Sequence, residues 1–457
     1  LQTPPRTSPF KIRNIRLFVA FRVFFNCRFY YPVFTILFLD YGLTLEQFAL
    51  LNAVWAATIV LLEVPSGALA DTVGRRNLLV FTGVLMVLEM VLLCFAPRGN
   101  PGLLFALLLA NRVLSGAAEA CASGADEALA YDSLKEKGDI NDWPRVLEIQ
   151  MRVQSIAFII AMSLGAAVYD PHLMQRLAHG LGLNVHLDQG FTLRFPPFLT
   201  LLMAMMTLLC ALQMREIDAG DYRTHPGRGN SVTQAFKVTL AAGKWILTTP
   251  FALIIILAGL SFDNCIRMII TLRSQYYRLI DLPEAIYGLI GSALAVMGLI
   301  MPRLARSMVQ QHSPRFNLGV MAVCTVIGLL GLTFFWPIIG LLPVIVLSGV
   351  IYLQNFFQSH YLNRITRSHQ RATVLSFKGL SFNLAYAIIG MLYSVLLAYL
   401  RSAVAKARPD LAGAQLENLV FIKSIAWFPG YFLLTMAAVV VFARWRLKNS
   451  DAHKVRG

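Results

Sequence analysis

Long apolar runs recur along the whole chain, and the short segments between them carry most of the charge. A helix needs about 20 mainly apolar residues to cross the ~30 Å hydrocarbon layer of a bilayer. The pattern therefore predicts spans at 15–39, 47–70, 77–96, 103–125, 147–168, 196–214, 250–272, 285–302, 317–336, 338–361, 373–399 and 419–443. Twelve crossings put both termini on one side, and the expected fold class is an all-α integral membrane protein. Several spans carry a polar stripe at helical spacing. Asn52, Trp55, Ile59 and Glu63 form one in the second span. Arg112, Gly116, Glu119, Ser123 and Asp126 form another in the fourth, and Glu148, Arg152, Ser155 and Ser163 a third in the fifth. The tenth span offers Gln354, Gln358 and Tyr361, and the eleventh Lys378 and Ser381. The first carries Arg22, Asn26 and Arg28, and the third a lone Glu89 that suits a helix-to-helix hydrogen bond as well as a proton site. A charge at such depth costs at least ~2.5 kcal/mol unless it meets a cavity or a partner.

Between the sixth and seventh spans the pattern lapses. Residues 215–230 turn polar and rich in Gly, Pro and Asp, which reads as a linker. Val232, Phe236, Leu240 and Leu247 then recur beside Lys237 and Lys244, predicting a surface helix over 231–247. The expected domains are an amino-terminal unit at 1–214, a cytoplasmic linker with its amphipathic helix at 215–249, and a carboxy-terminal unit at 250–457. Asn26-Cys27-Arg28 is echoed by Asn264-Cys265-Ile266-Arg267, and each Asn precedes an acidic residue at equal spacing, Glu46 and Glu284. That echo predicts a duplicated six-helix unit. Asp263 and Arg267, four residues apart, are placed for an intrahelical ion pair.

A net charge of +16 would suit nucleic acid, but its distribution argues otherwise. About 25 of the 40 Lys and Arg fall in the segments on the amino-terminal side, and about 8, Arg273 and Arg278 among them, in the segments opposite. This is the positive-inside bias, which places both termini in the cytoplasm of a cell (inner) membrane and assigns the excess base to topology and anionic lipid. The expected partners are a small-molecule substrate, protons and membrane lipid, with no nucleic acid. All six cysteines lie in apolar spans without metal-ligand spacing. His172, His179 and His186 are interrupted by Gly180 and Gly182, so no metal and no cofactor are expected. There is no P-loop and no Gly-x-Ser-x-Gly elbow, and His360 is the only histidine within a span, so the chain is not expected to be an enzyme.

The turn between the second and third spans, Gly67-Ala68-Leu69-Ala70-Asp71-Thr72-Val73-Gly74-Arg75-Arg76-Asn77-Leu78, resembles the signature loop of the major facilitator superfamily, departing at Thr72 where a base is usual. Arg112 and Gly116 resemble the Arg-x-x-x-Gly element of the family's fourth span. The Gly-Pro pair of many drug/proton antiporters is missing from the fifth, where Ala166 follows Gly165. The resemblance implies two pseudo-symmetric six-helix bundles that rock about a central cavity, exposing it alternately to each side. It also implies a cytoplasmic gate in which Asp71 meets the start of the eleventh helix near Thr373 when the outward-facing state closes the cytoplasmic side, braced by Arg75 and Arg76, with Gly67 allowing close helix approach and Gly74 a positive φ.

Within the cavity, Arg28, Arg112, Arg152, Arg267 and Lys378 are the expected positive lining. Glu63, Glu119 and Asp263 are the expected counter-ions or proton carriers, with Asn26 and Gln358 beside them. The leading expectation is proton-coupled efflux of an amphiphilic compound. The alternatives are exchange or uptake of an organic anion clamped by Arg28 and Arg267, and a membrane sensor that does not transport.

Overall fold

The computed structural model describes residues 8–183, 185–217, 231–365 and 371–454. Its helices are α1 (Arg13–Asn26), α2 (Phe34–Tyr41), α3 (Leu45–Val73), α4 (Arg75–Cys94), α5 (Pro101–Ala122), α6 (Ala125–Lys137), α7 (Trp143–Tyr169), α8 (Pro171–Gly180), α9 (Gln189–Thr192), α10 (Phe195–Gln213), α11 (Ser231–Thr248), α12 (Pro250–Leu279), α13 (Tyr287–Gln311), α14 (Pro314–Leu332), α15 (Leu341–Ile365), α16 (Arg371–Ala407), α17 (Gly413–Ile425) and α18 (Trp427–Lys454). Among the described residues, 11 segments are long and apolar enough to cross a membrane.

The first expected span is the exception, because it is not one helix. α1 ends at Asn26, the chain passes through a single turn at Tyr31–Val33, and α2 resumes at Phe34. At 1.5 Å per residue neither piece alone spans ~30 Å. Together they make the twelfth crossing. Pro32, inside the break, has no N–H to give a helical ladder. The freed amide of Phe29 donates instead to Thr200 Oγ1 on α10, at 3.0 Å. Irregular backbone at membrane depth persists only where protein or a wet cavity satisfies it. Gly165 of α7 presses on the same break, and a Cβ there would run into the Phe29 carbonyl.

Helices α3, α4, α5 and α10 pack closely together, as do α12, α15 and α18, with α14 against α15. Two long seams join these groups, α3 against α16 and α7 against α13. A helix forms over the expected surface segment as α11. Gly243 and Ile246 are buried where α11 packs on α3 and α16, whereas Leu240 and Leu247 face outward.

The two groups meet firmly at the face opposite the signature turn. Arg278 of α12 holds Asp40 of α2 through two hydrogen bonds, 2.9 and 2.7 Å, and Glu284 at 2.5 Å. Arg401 of α16 binds Glu46 of α3 at 2.7 Å and also Glu417. The Thr35 amide donates to Ser274 Oγ at 3.0 Å, and the Ala285 amide to Asp170 Oδ2 at 3.2 Å. Toward the signature turn the interior widens into a vestibule. In this conformation no described atom lies within 4 Å of a Cβ built on Gly67.

Candidate substrate pathway

A buried charge cluster sits where the break in the first crossing faces α4 and α5. Arg28, placed in the break, donates to both carboxylate oxygens of Glu89 at 2.8 and 3.0 Å. Arg112 reaches the same carboxylate at 3.4 Å, and its Nε donates to Asn111 Oδ1 at 2.9 Å. The Asn111 amide donates in turn to the backbone carbonyl of Glu89, at 2.7 Å. Arg28, Glu89 and Arg112 are 2%, 0% and 3% exposed. Glu119 completes the set. It stands 3.5 Å from Arg28, and its side chain is 32% exposed. Two guanidinium groups and two carboxylates thus balance in low dielectric, and of the four only Glu119 lines the vestibule toward the signature turn. Gly116 supports this arrangement by letting α5 close on α3, since a Cβ there would lie 2.7 Å from the Trp55 carbonyl oxygen.

Two cavities meet at Trp55. The vestibule, about 440 Å³, is lined by Asn26, Trp55, Glu63, Glu119, Asp126 and Asn383 among others. Arg22 guards it, bound to Asp126 and, at 2.6 Å, to Glu127. Beyond Trp55, toward the opposite face, lies a chamber of about 340 Å³ walled by Tyr31, Phe34, Ile270 and Tyr386, with Asn52, Ser115, Thr271, Arg112, Arg267 and Arg273 as its polar groups. Asn383, which lines the vestibule, accepts a hydrogen bond from Arg267 of the chamber at 3.1 Å. Tyr386 packs beneath the Arg267 guanidinium, and its hydroxyl lies 2.8 Å from Thr271 Oγ1.

The expected site residues divide accordingly. Arg28, Arg112 and Glu119 come together, although Arg28 faces Glu89 and lines neither cavity. Asn26 and Glu63 line the vestibule, with the Asn26 amide donating to the Arg22 carbonyl at 2.7 Å. Arg267 lines the chamber and makes the expected pair with Asp263, at 2.9 Å. Lys378 lies over the Phe382 ring, within Coulombic reach of Asp263.

Two residues sit apart. Arg152 pairs with Glu148 at 2.7 Å with its side chain 73% exposed, away from the cluster. Gln358 is buried against Gly259 between α12 and α15, where a glycine leaves room for it, and it does not line the chamber. The anion clamp expected from Arg28 and Arg267 is therefore not assembled, because each has its own carboxylate.

The signature-turn face is open here, and the gate residues are engaged within their own half. Gly74 adopts φ +97°, and the Glu216 carboxylate below it accepts the Arg75 and Arg76 amides at 3.2 and 2.8 Å. Arg75 binds Asp132, and Arg76 donates to the carbonyls of Met214 and Leu212 at 2.8 and 3.0 Å. In this conformation both arginines thus brace the turn against α6 and the end of α10 rather than against α16. The side chains of Asp71 and Thr373 lie outside the described residues.

Glu89 and Arg273 were not singled out as site residues from the sequence. The signal for Glu89 was the unexplained charge at mid-span, and for Arg273 its place next to a span end.

The sequence model of the Major Facilitator Superfamily matches residues 16–388. Comparison with curated proteins yields no match. Among solved structures, the fold is similar to that of the nucleoside transporter NupG at 13% identity, covering 95% of this chain and 99% of that one with a TM-score of 0.67. It is similar to a bacterial homolog of the human lysosomal transporter Spinster, in its inward-facing and unoccupied conformation, at 14% identity, with coverage of 96% and 98% and a TM-score of 0.69. A D-xylose-proton symporter aligns at 13% identity over 92% and 97% with a TM-score of 0.62. At these identities the likeness is one of fold.

Proposed function

We propose, from the premise that this chain belongs to the major facilitator superfamily, that it exports a small amphiphilic solute by proton-coupled alternating access, with Glu119 as the coupling carboxylate. Membership makes the chain a multi-pass membrane transporter and not an enzyme. The positive-inside bias puts the signature turn in the cytoplasm, so the vestibule opens inward and the Arg278 and Arg401 contacts close the outer side. The solute occupies the aromatic chamber beyond Trp55, whose volume lies at the small end of ligand pockets.

One observation carries the coupling role. Glu119 shares Arg28 with the fully buried Glu89, yet it alone of the cluster opens to the vestibule. Protonating it leaves the cluster with one excess positive charge, a change that low dielectric makes costly and therefore effective at shifting a two-state equilibrium. Export as the direction rests on the signature turn and the Arg112 element, which resemble the drug/proton antiporters, and the support is that resemblance alone.

The test uses proteoliposomes and a panel of anionic, neutral and cationic fluorescent aromatic amphiphiles. Glu119→Gln is expected to lower accumulation driven by a pH gradient at least tenfold while solute exchange across the membrane continues. Undiminished uphill transport in that variant would falsify the coupling role.

A further inference from the structure

We infer that the chamber beyond Trp55 recognises an anionic head group through Arg273, so that the transported solute is an aromatic monoanion, a carboxylate or sulfonate on a planar apolar body. This rests on the chamber being the transport site. The argument is a charge audit of the chamber wall. Three guanidinium groups line it and no carboxylate does. Arg112 is answered by Glu89, and Arg267 by Asp263 and Asn383. Arg273 has no ion pair and no hydrogen bond among the described residues, although it stands half-buried within the 30-residue α12. A half-buried guanidinium without a counter-charge is unfavourably solvated, and a bound anion offsets that.

The chamber is built for the rest of such a molecule. Tyr31, Phe34, Trp55 and Tyr386 supply aromatic surface, and Asn52, Ser115 and Thr271 give hydrogen-bonding positions. A planar guanidinium binds a carboxylate through two parallel hydrogen bonds, which fixes the head group and leaves the ring to stack. Arg267 and Arg273 are six residues apart, so about 9 Å of helix rise separates them, and they do not form a single clamp. One excess positive charge calls for one negative charge on the ligand. Export of an anion is also aided by an inside-negative membrane potential.

The experiment titrates the full-length protein in detergent with naphthoate, the isosteric naphthamide and a naphthyl trimethylammonium salt, by calorimetry. Naphthoate is expected to bind at least tenfold more tightly than the amide. Arg273→Gln is expected to erase that preference while leaving amide affinity unchanged. Arg273→Lys, which keeps charge but loses the two-pronged geometry, is expected to retain part of the preference, and it decides the matter alone where the Gln variant aggregates. An unaltered naphthoate preference in either variant, no binding of naphthoate by the wild type, or tighter binding of the cation overturns the inference. Trp55→Ala separates it from the reading on which it rests. Weakened binding of all three ligands keeps the chamber as the site, whereas unweakened binding in that variant removes both.

Discussion

Glu89 shows what one carboxylate can organise. It is fully buried, accepts two hydrogen bonds from Arg28, draws in Arg112, and through its own carbonyl orients Asn111. Removing one member of a buried ion pair costs more than the pair contributes, because the remaining charge is stranded. Glu89→Gln is therefore expected to lower stability by about 3–5 kcal/mol, read as a large drop in the detergent-phase unfolding temperature. The double change with Arg28→Gln should recover a good part of it. The sequence shows that Arg28, Arg112 and Glu119 need partners at mid-membrane, because charge in an apolar run is visible in one dimension. Which acid meets which base depends on how two helices and a break pack. Glu89 therefore read as an isolated residue, and Arg152, which shares its periodicity with cavity-facing positions, is in fact paired at an exposed surface.

The first crossing makes the corresponding point for elements. Counting apolar residues cannot separate a continuous helix from two short ones, and 15–39 passes the length test either way. The letters that mark the break are Pro32, with no amide to donate, and Arg28, whose burial requires a reoriented backbone. Gly165 is the third component, since α7 lies against the Phe29 carbonyl with no room for a side chain. Gly165→Ala should push α7 off the break and cost about 1–3 kcal/mol, with the shift in unfolding temperature exceeding that of Gly67→Ala, where space is open. The internal echo was legible, and its meaning differs between copies. Arg28 lies in an irregular segment, whereas Arg267 lies inside α12. The two acids that follow at equal spacing, Glu46 and Glu284, share a task, each binding an arginine at the face opposite the signature turn.

For the whole molecule, arginines tie the two halves together at the face opposite the signature turn. Arg278 ties α2 to α12, and Arg401 ties α3 to α16 and α17, while the signature-turn face stands open. Opening the other way requires both ties to break. The double variant Arg278→Gln, Arg401→Gln is expected to raise the population open at the face opposite the signature turn at least tenfold. Pulsed electron resonance between spin labels on either side of that face would read this as a longer distance. An unchanged distance distribution would show that the apolar seams, rather than the ion pairs, hold the closure. The helical crossings were readable from hydropathy. The conformation was not, because one sequence serves every state of the cycle and only packing selects among them.

The severed first crossing has a spectroscopic consequence. A continuous transmembrane helix locks its amides away for days, whereas Phe29 donates to a threonine hydroxyl rather than to a ladder carbonyl. Residues 28–30 should therefore take up deuterium ahead of their helical neighbours, and at a pace that follows how often water reaches the interior. That uptake would serve as a built-in clock for the transport cycle, read by mass spectrometry without any label attached.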